Sequence, residues 1–193
     1  MNHQLEDTSD LFHYFYERTL DAQAEVDVEL SSDTVLYLAR LLTERARSDM
    51  PSLPETTLAE LYGRAVHAPP RGQARAYREL GDRALYRLGC FKDSLDRGPV
   101  GPRYYEDMGS SAYYRVDQVF KRWFADAFGP VFQELSGAFL DCVEVLTVVN
   151  ERHTDDDATT LMRLIEEWQR TGSASAARRL RSRHIPIDLL RPT

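Results

Sequence analysis

Two neighbouring stretches decide the fold: residues 80–95 read LGDRALYRLGCFKDSL, and residues 104–116 read YYEDMGSSAYYRV. In both, apolar residues recur at i, i+3, i+4 and i+7, which predicts two amphipathic helices. The segment between them, residues 93–102, contains two breaks of the Gly-Pro type that cannot lie inside a helix. The sequence therefore predicts a helical hairpin over residues 73–128, with the rest of the chain packed around it.

Three glycines, Gly81, Gly89 and Gly109, lie on the apolar stripes of this hairpin. A glycine inside a helix costs roughly 1 kcal/mol relative to alanine, so a packing reason is expected for each. We expect a neighbouring backbone or aromatic ring to approach closely at these positions. If the two helices are antiparallel, Gly81 lies near the tyrosine pair 113–114, and Gly109 lies near Leu85.

The same two stretches resemble a family of bacterial all-helical proteins of similar length. That family shares an LGD-x-AL-x-x-x-G-x-F-x-x-SL block and a YY-x-x-MG-x-x-AY block, and both patterns are present here. The likeness extends more weakly to residues 168–185, so it covers most of the chain. The resemblance implies a helical fold and a bacterial source, and it brings no activity with it.

The length of 193 residues predicts a single domain over residues 1–193, large enough to bury a core without disulfides or metal. A hydrophobic share of 42% excludes wholesale disorder. Together with the helical periodicity, these values predict an all-α fold. We expect one compact bundle of about six to eight helices around the central hairpin.

The remaining helices are predicted from apolar periodicity and from capping residues, proline and glycine at their ends. The first helix covers 11–20 and is capped by Ser9 or Asp10, and the second is capped by Ser32 and ends before Pro51. A third covers 57–66, with Leu58, Leu61, Tyr62 and Val66 pointing inward. After the hairpin, a single helix is predicted over 131–151, and Thr154 or Asp155 caps a further one. Residues 26–30 are predicted to be an extended connector.

The formal net charge of −7 argues against nucleic acid or an anionic membrane as a general partner, since both attract positive proteins. A basic tail is the local exception to this acidic balance. We interpret it as a solvated helix face that complements an acidic body, with a nucleic-acid or partner contact as the alternative. Its arginines are Arg170, Arg178, Arg179, Arg181, Arg183 and Arg191.

The location of the protein is predicted from its apolar segments and its cysteines. Residues 1–10 are polar and acidic and do not resemble a signal peptide. The longest apolar run, 138–149, is interrupted by two acidic residues and is too short to span a bilayer. Cys90 and Cys142 lie among apolar neighbours and are expected to be buried free thiols. We therefore expect a cytoplasmic protein with no membrane partner.

Motifs that carry chemistry are missing from the sequence. It contains no Gly-x-Ser-x-Gly elbow, Walker loop, Rossmann fingerprint, zinc motif or His-Glu-x-x-His pair. His13 with Glu17, and His184 with Asp188, stand at i, i+4, but a zinc site needs at least three protein ligands. We expect no catalytic residue, no metal and no cofactor.

Polar and aromatic residues collect around the hairpin loop and its flanks. Tyrosine and arginine are over-represented in binding hot spots, so these residues are candidates for contact with a ligand or partner. The alternative is a structural loop held by Asp–Arg pairs and tyrosine hydroxyls. The candidates are Asp82, Asp93, Asp96, Arg97, Arg103, Tyr104 and Tyr105.

Asp82 is the most specific of these candidates, because it projects about 100° from Gly81, at the boundary of the apolar stripe. A carboxylate that faces a neighbouring helix needs a partner. The nearest arginines of the loop are Arg97 and Arg103. We expect one of them to pair with Asp82.

Taken together, these features predict a cytoplasmic protein-interaction or regulatory module whose partner is another protein, rather than an enzyme. The alternative is an enzyme or small-ligand-binding protein with a pocket near Asp82 and the hairpin tyrosines. A deep cavity lined by Asp82 and tyrosine hydroxyls would favour the alternative. A filled core with exposed aromatic side chains would favour the module.

Overall fold

A computed structural model describes residues 3–47, 56–95, 99–123, 129–171 and 180. Over these residues the chain is helical without strands, which confirms the all-α prediction. The helices are α1 (His3–Glu25), α2 (Ser32–Arg47), α3 (Leu58–His67), α4 (Pro70–Cys90), α5 (Lys92–Leu95), α6 (Pro102–Trp123), α7 (Gly129–Gly137) and α8 (Phe139–Thr171).

The chain divides into two compact units, Met1–Val149 and Asn150–Thr193. The first unit contains α1 to α7 and the beginning of α8, and the hairpin and the candidate site belong to it. In the second unit the described residues are the rest of α8 and residue 180. Organisation as a single domain over residues 1–193 stays a prediction.

The predicted hairpin is present as α4 and α6, which pack along each other. Gly81 lies against Tyr113, and Ala84 lies against Gly109, so residue numbers rise along one helix while they fall along the other. The two helices are therefore antiparallel. The predicted apolar face of α4 is buried throughout; its members are Tyr77, Leu80, Ala84, Leu85 and Leu88.

Each of the three stripe glycines marks a close approach, but the predicted aromatic neighbour is present only at Gly81 and Gly109, and an aliphatic side chain takes its place at Gly89. A Cβ atom on Gly81 would lie 2.7 Å from the Tyr113 ring. A Cβ atom on Gly89 would lie 2.6 Å from Cβ of Leu146. At Gly109 the expected neighbour was Leu85, but a Cβ atom there would instead collide with the Phe139 ring and lie 3.0 Å from Ala84. The hairpin packs closely because these positions carry no side chain.

The C-terminal helices differ from their prediction in two places. The expected single helix over 131–151 is two helices, because a turn at Ala138 separates α7 from α8. The expected helix start at Thr154 or Asp155 is absent, and α8 continues through these residues to Thr171. Capping residues in the interior of a helix gave a false start signal here. The same error affected α1, which begins at His3 instead of after Ser9.

Helix α3 begins with a capping box, in which Thr57 accepts a hydrogen bond from the backbone N–H of Glu60 and the Glu60 carboxylate accepts one from the backbone N–H of Thr57. Its Leu58 and Leu61 are buried, as predicted. Tyr62 and Val66 were also predicted to point inward, but they are 43% and 42% exposed. Among the described residues the larger contacts of α3 are those with α4, which cover one face of the helix.

A carboxylate from α7 holds the start of α2. Glu134 accepts a hydrogen bond of 2.9 Å from the backbone N–H of Ser31, one of 2.5 Å from its hydroxyl, and a third from the hydroxyl of Thr34. Ser31, rather than the predicted Ser32, caps the helix through a 3.3 Å contact with the N–H of Thr34. The negative charge of Glu134 also complements the positive end of the α2 dipole.

Replacing Glu134 with glutamine is expected to lower the free energy of unfolding by about 1 kcal/mol at pH 7. Burial alone would raise the pKa of Glu134, but hydrogen bonds from Ser31 and Thr34 outweigh it and lower the pKa below its ordinary value. A lowered folded-state pKa adds stability that is present above the unfolded pKa and lost as the pH falls through the folded pKa. Urea titrations should therefore show a constant difference between Glu134→Gln and wild type near neutrality, shrinking below about pH 4.5. A difference that grows with acidity would contradict this account.

Candidate functional site

A buried polar cluster joins α2, α4 and α6 at the level of Asp82. Asp82 is 7% exposed, and its Oδ1 accepts hydrogen bonds from the hydroxyls of Tyr37 and Tyr113, the latter at 2.8 Å. Its Oδ2 lies 3.4 Å from Nε of Arg78, one turn earlier on the same helix. Both oxygens of the carboxylate therefore have partners, supplied by three helices.

Arg78 is positioned by the same cluster. Its Nε donates a 3.1 Å hydrogen bond to the Tyr37 hydroxyl, and its guanidinium carbon lies 5.2 Å from the centre of the Tyr37 ring. A guanidinium stacked on an aromatic face gains cation–π attraction and has a restricted orientation. Tyr37 in turn makes edge contacts with the rings of Tyr113 and Phe132, so its own position is set by the core.

The protonation states of the cluster follow from its burial. Burial raises the pKa of Asp82, while the Tyr37 hydrogen bond, the charge of Arg78 and the Tyr113 hydrogen bond oppose that rise. Burial and the nearby Asp82 charge raise the pKa of both tyrosines well above the ordinary value. The tyrosines therefore remain protonated donors at neutral pH and do not supply a phenolate base or nucleophile.

Beside this cluster a cleft of about 390 Å³ opens between α2 and α4. Its lining is charged rather than aromatic, and Asp82 is the member that it shares with the buried cluster. The deep cavity lined by Asp82 and tyrosine hydroxyls, which would have favoured an enzyme, is not what the cleft provides. The lining residues are Glu44, Arg45, Arg75, Arg78, Glu79 and Asp82.

The structure separates Asp82 from the loop end of the hairpin. Asp82 lies level with Tyr113, and Tyr104 lies nine residues earlier on α6, about 13 Å along the helix axis. The cation beside Asp82 is Arg78 and not Arg103, which is exposed at the start of α6. The expected partnership with Arg103 was therefore wrong, because the preceding turn of α4 already supplies the guanidinium.

The other predicted site residues lie at the loop end or outside the described residues. Tyr104 and Tyr105 are partly buried, and their rings stand edge to face at 5.8 Å. Asp93 belongs to α5, but its side chain is outside the described part of the structure, as are residues 96–97 and the arginines of the basic tail beyond residue 171. Their roles stay predictions.

The sequence prediction missed Tyr37, Arg45 and Arg78, which complete the cluster and its cleft. Arg78 could have been found, since it precedes Asp82 by four residues on the same helix, a spacing that brings opposite charges together. Tyr37 had no such signal, because its contact with Asp82 spans 45 residues and depends on how α2 packs against α4.

Some titratable groups of the described residues pair outside the Asp82 cluster. His13 and Glu17 make an exposed contact at 3.1 Å, and among the described residues no third ligand joins them into a metal site. Asp117, only 2% exposed, pairs with Lys121 at 2.8 Å. The cysteines are free thiols, and burial raises the pKa of both Cys90 and Cys142 to about 12, which makes them unreactive.

Comparison with protein-family models, with curated proteins and with solved structures gives no match for this chain. The resemblance to a bacterial family through the residue blocks at 80–95 and 104–116 therefore stays a prediction. Within the described residues, every helix is too short or too polar to cross a lipid bilayer.

Proposed function

We propose that this protein is a helical recognition module that binds another protein through the α2–α4 cleft and the aromatic side chains that continue from it. The observation that carries the proposal is that the buried and the accessible polar groups around Asp82 have different roles. The Asp82 carboxylate and the hydroxyls of Tyr37 and Tyr113 bond to one another and hold helices together. The charged groups that remain accessible line an open cleft, which suits recognition better than catalysis.

An aromatic strip extends the cleft along α4. Arg45, from the cleft lining, stacks on Tyr86 with its guanidinium carbon 5.7 Å from the ring centre. Tyr86 meets Phe91 edge to face at 5.6 Å, and Phe91 is 46% exposed. A partner lying along α4 would thus meet charged groups first and an accessible aromatic ring at the end. Arginine and aromatic side chains are enriched at protein interfaces, where they supply most of the binding energy.

The proposed setting is the cytoplasm of a bacterium. The free thiols of Cys90 and Cys142 suit a reducing compartment, where disulfides are rare. The bacterial source rests on the residue blocks of the hairpin that resemble a bacterial family.

A second candidate function is binding of a small polar molecule, which the size of the cleft favours. Sites for small molecules commonly have volumes of roughly 300–1,000 Å³, a range that includes this cleft. Such sites are mostly apolar, however, and this lining is charged. A small ligand here would have to be polar and charged.

Affinity capture from the source cells, with mass spectrometry of bound proteins and small molecules, separates the two candidates. Phe91→Ser is expected to reduce recovery of the partner protein by about tenfold, because truncating an aromatic anchor commonly costs more than 1 kcal/mol of binding free energy. Leu140→Ser is the matched control, since Leu140 is equally exposed, at 49%, and belongs to α8. Recovery of a small molecule without a protein partner would overturn the module in favour of the second candidate.

A further inference from the structure

Arg78 keeps part of its hydrogen-bonding capacity unused. Its Nε contacts Tyr37 and Asp82, and in the described part of the chain its two terminal nitrogens make no hydrogen bond or ion pair. A guanidinium has five N–H donors in a rigid plane, and four of them belong to these terminal nitrogens. Stacking on Tyr37 already restrains this plane, so binding a ligand would cost little further side-chain entropy. The Arg78 side chain is 45% exposed, which leaves room for a ligand to approach.

Arg75 supplies a second cation in the same cleft. It lies three residues before Arg78, on the same face of α4, and is exposed. Among the described residues it forms no ion pair or hydrogen bond, whereas the other cleft arginines, Arg45 and Arg78, both contact aromatic rings. Two guanidinium groups one turn apart can hold one anionic group between them.

The cleft is lined by three arginines and three carboxylates, so its charges suit one added anionic group better than several. Asp82 is satisfied by Arg78 and the two tyrosines, and Glu79 lies 3.8 Å from Arg83, which is outside the lining. Burial lowers the pKa of Arg78, but Tyr37, Asp82 and, least of these, the charge of Glu44 outweigh it and raise that pKa. Of the three lining arginines, Arg75 is the one that contacts neither a carboxylate nor an aromatic ring among the described residues, while the three lining carboxylates would repel a ligand that carries many negative charges.

From this arrangement we infer that Arg75 and the terminal nitrogens of Arg78 form an anion subsite, which takes a single carboxylate or phosphate group of the bound partner. The inference rests on the proposed function, in that it names the chemistry recognised at the charged end of the cleft. Both anion types present paired oxygens that fit the planar donors of a guanidinium, and a partner could supply them as an acidic or a phosphorylated side chain.

Titration of the full-length ¹⁵N-labelled chain with sodium acetate and, separately, inorganic phosphate tests the subsite. The arginine Nε–Hε signals report on it, with sodium chloride at matched ionic strength as the reference. We expect saturable shifts of the Arg75 and Arg78 signals, with a dissociation constant on the order of 1 mM. Arg75→Gln should weaken binding by about tenfold, because it removes a charge-assisted hydrogen bond. Arg115→Gln, an exposed arginine of α6, is the matched control and should bind as wild type.

The two probes also identify the source of the anion. Tighter binding of acetate assigns the subsite to carboxylate side chains, and tighter binding of phosphate assigns it to phosphorylated ones. Shifts that chloride reproduces, or that survive unchanged in Arg75→Gln, would overturn the subsite. If capture of a partner still depends on Phe91 in that case, the proposed function stands without it. Specific anion binding with no protein partner would retain the subsite and reject the protein-binding function.

Discussion

Asp82→Asn is expected to lower the free energy of unfolding by about 2 kcal/mol, because it leaves Arg78 without its anion and places amide hydrogens among hydroxyl donors. Arg78 is partly solvated, which keeps the effect below that of a fully buried pair. In a chain of this length the change corresponds to a fall in Tm of roughly 4–8 °C. Thermal melts and urea titrations at pH 7 measure it.

Two further substitutions, one inside the cluster and one outside it, test whether the loss of stability is specific to the contacts of Asp82. Tyr113→Phe alone should cost about 1 kcal/mol, and combining it with Asp82→Asn should cost less than the sum of the two, because both changes break the same contact. Asp107→Asn, an exposed carboxylate on α6, is the matched control and should change stability by less than about 0.5 kcal/mol. If Asp82 instead serves a ligand, Asp82→Asn would leave the Tm unchanged and abolish binding, which would contradict the structural role.

Gly89→Ala is expected to destabilise the protein by about 2 kcal/mol, although alanine is intrinsically the better helix former. The new methyl group would lie 2.6 Å from Cβ of Leu146, an atom attached directly to the α8 backbone. No side-chain rotation relieves that contact, so α4 and α8 must move apart. Their separation would also weaken the 3.0 Å hydrogen bond that the Thr147 hydroxyl donates to the carbonyl of Gly89. Chemical denaturation monitored by circular dichroism measures the effect.

Gly63 provides the control for this prediction. It lies inside α3, and a Cβ atom there would meet nothing within 4 Å. Gly63→Ala should therefore stabilise the protein by roughly 0.5–1 kcal/mol through helix propensity alone. Equal effects at Gly63 and Gly89, in either direction, would show that the close approach of α4 and α8 is not what selects glycine at position 89.

The candidate site was only partly predictable. Asp82 was identified as a boundary carboxylate that needs a partner, and the structure finds it buried with three partners. An arginine of the loop was predicted to pair with Asp82, whereas its partner in the structure is Arg78, one turn away on the same helix. A pocket near Asp82 belonged to the alternative interpretation, but its charged lining was not predicted, because that lining combines α2 with α4, whose sequences give no sign of meeting.

By itself the sequence determined the all-α class and the helical hairpin, and it predicted close packing at the hairpin glycines. These properties follow from local periodicity and from the absence of a side chain at Gly81, Gly89 and Gly109. The break at Ala138, the uninterrupted course of α8 and the exposed face of α3 were not predictable from local signals, because residues that can cap a helix also occur inside helices and periodicity does not tell which face a neighbour covers. Only the tertiary structure brings Tyr37 to Asp82, because packing of the apolar faces of helices that are distant in sequence places their polar boundary residues side by side.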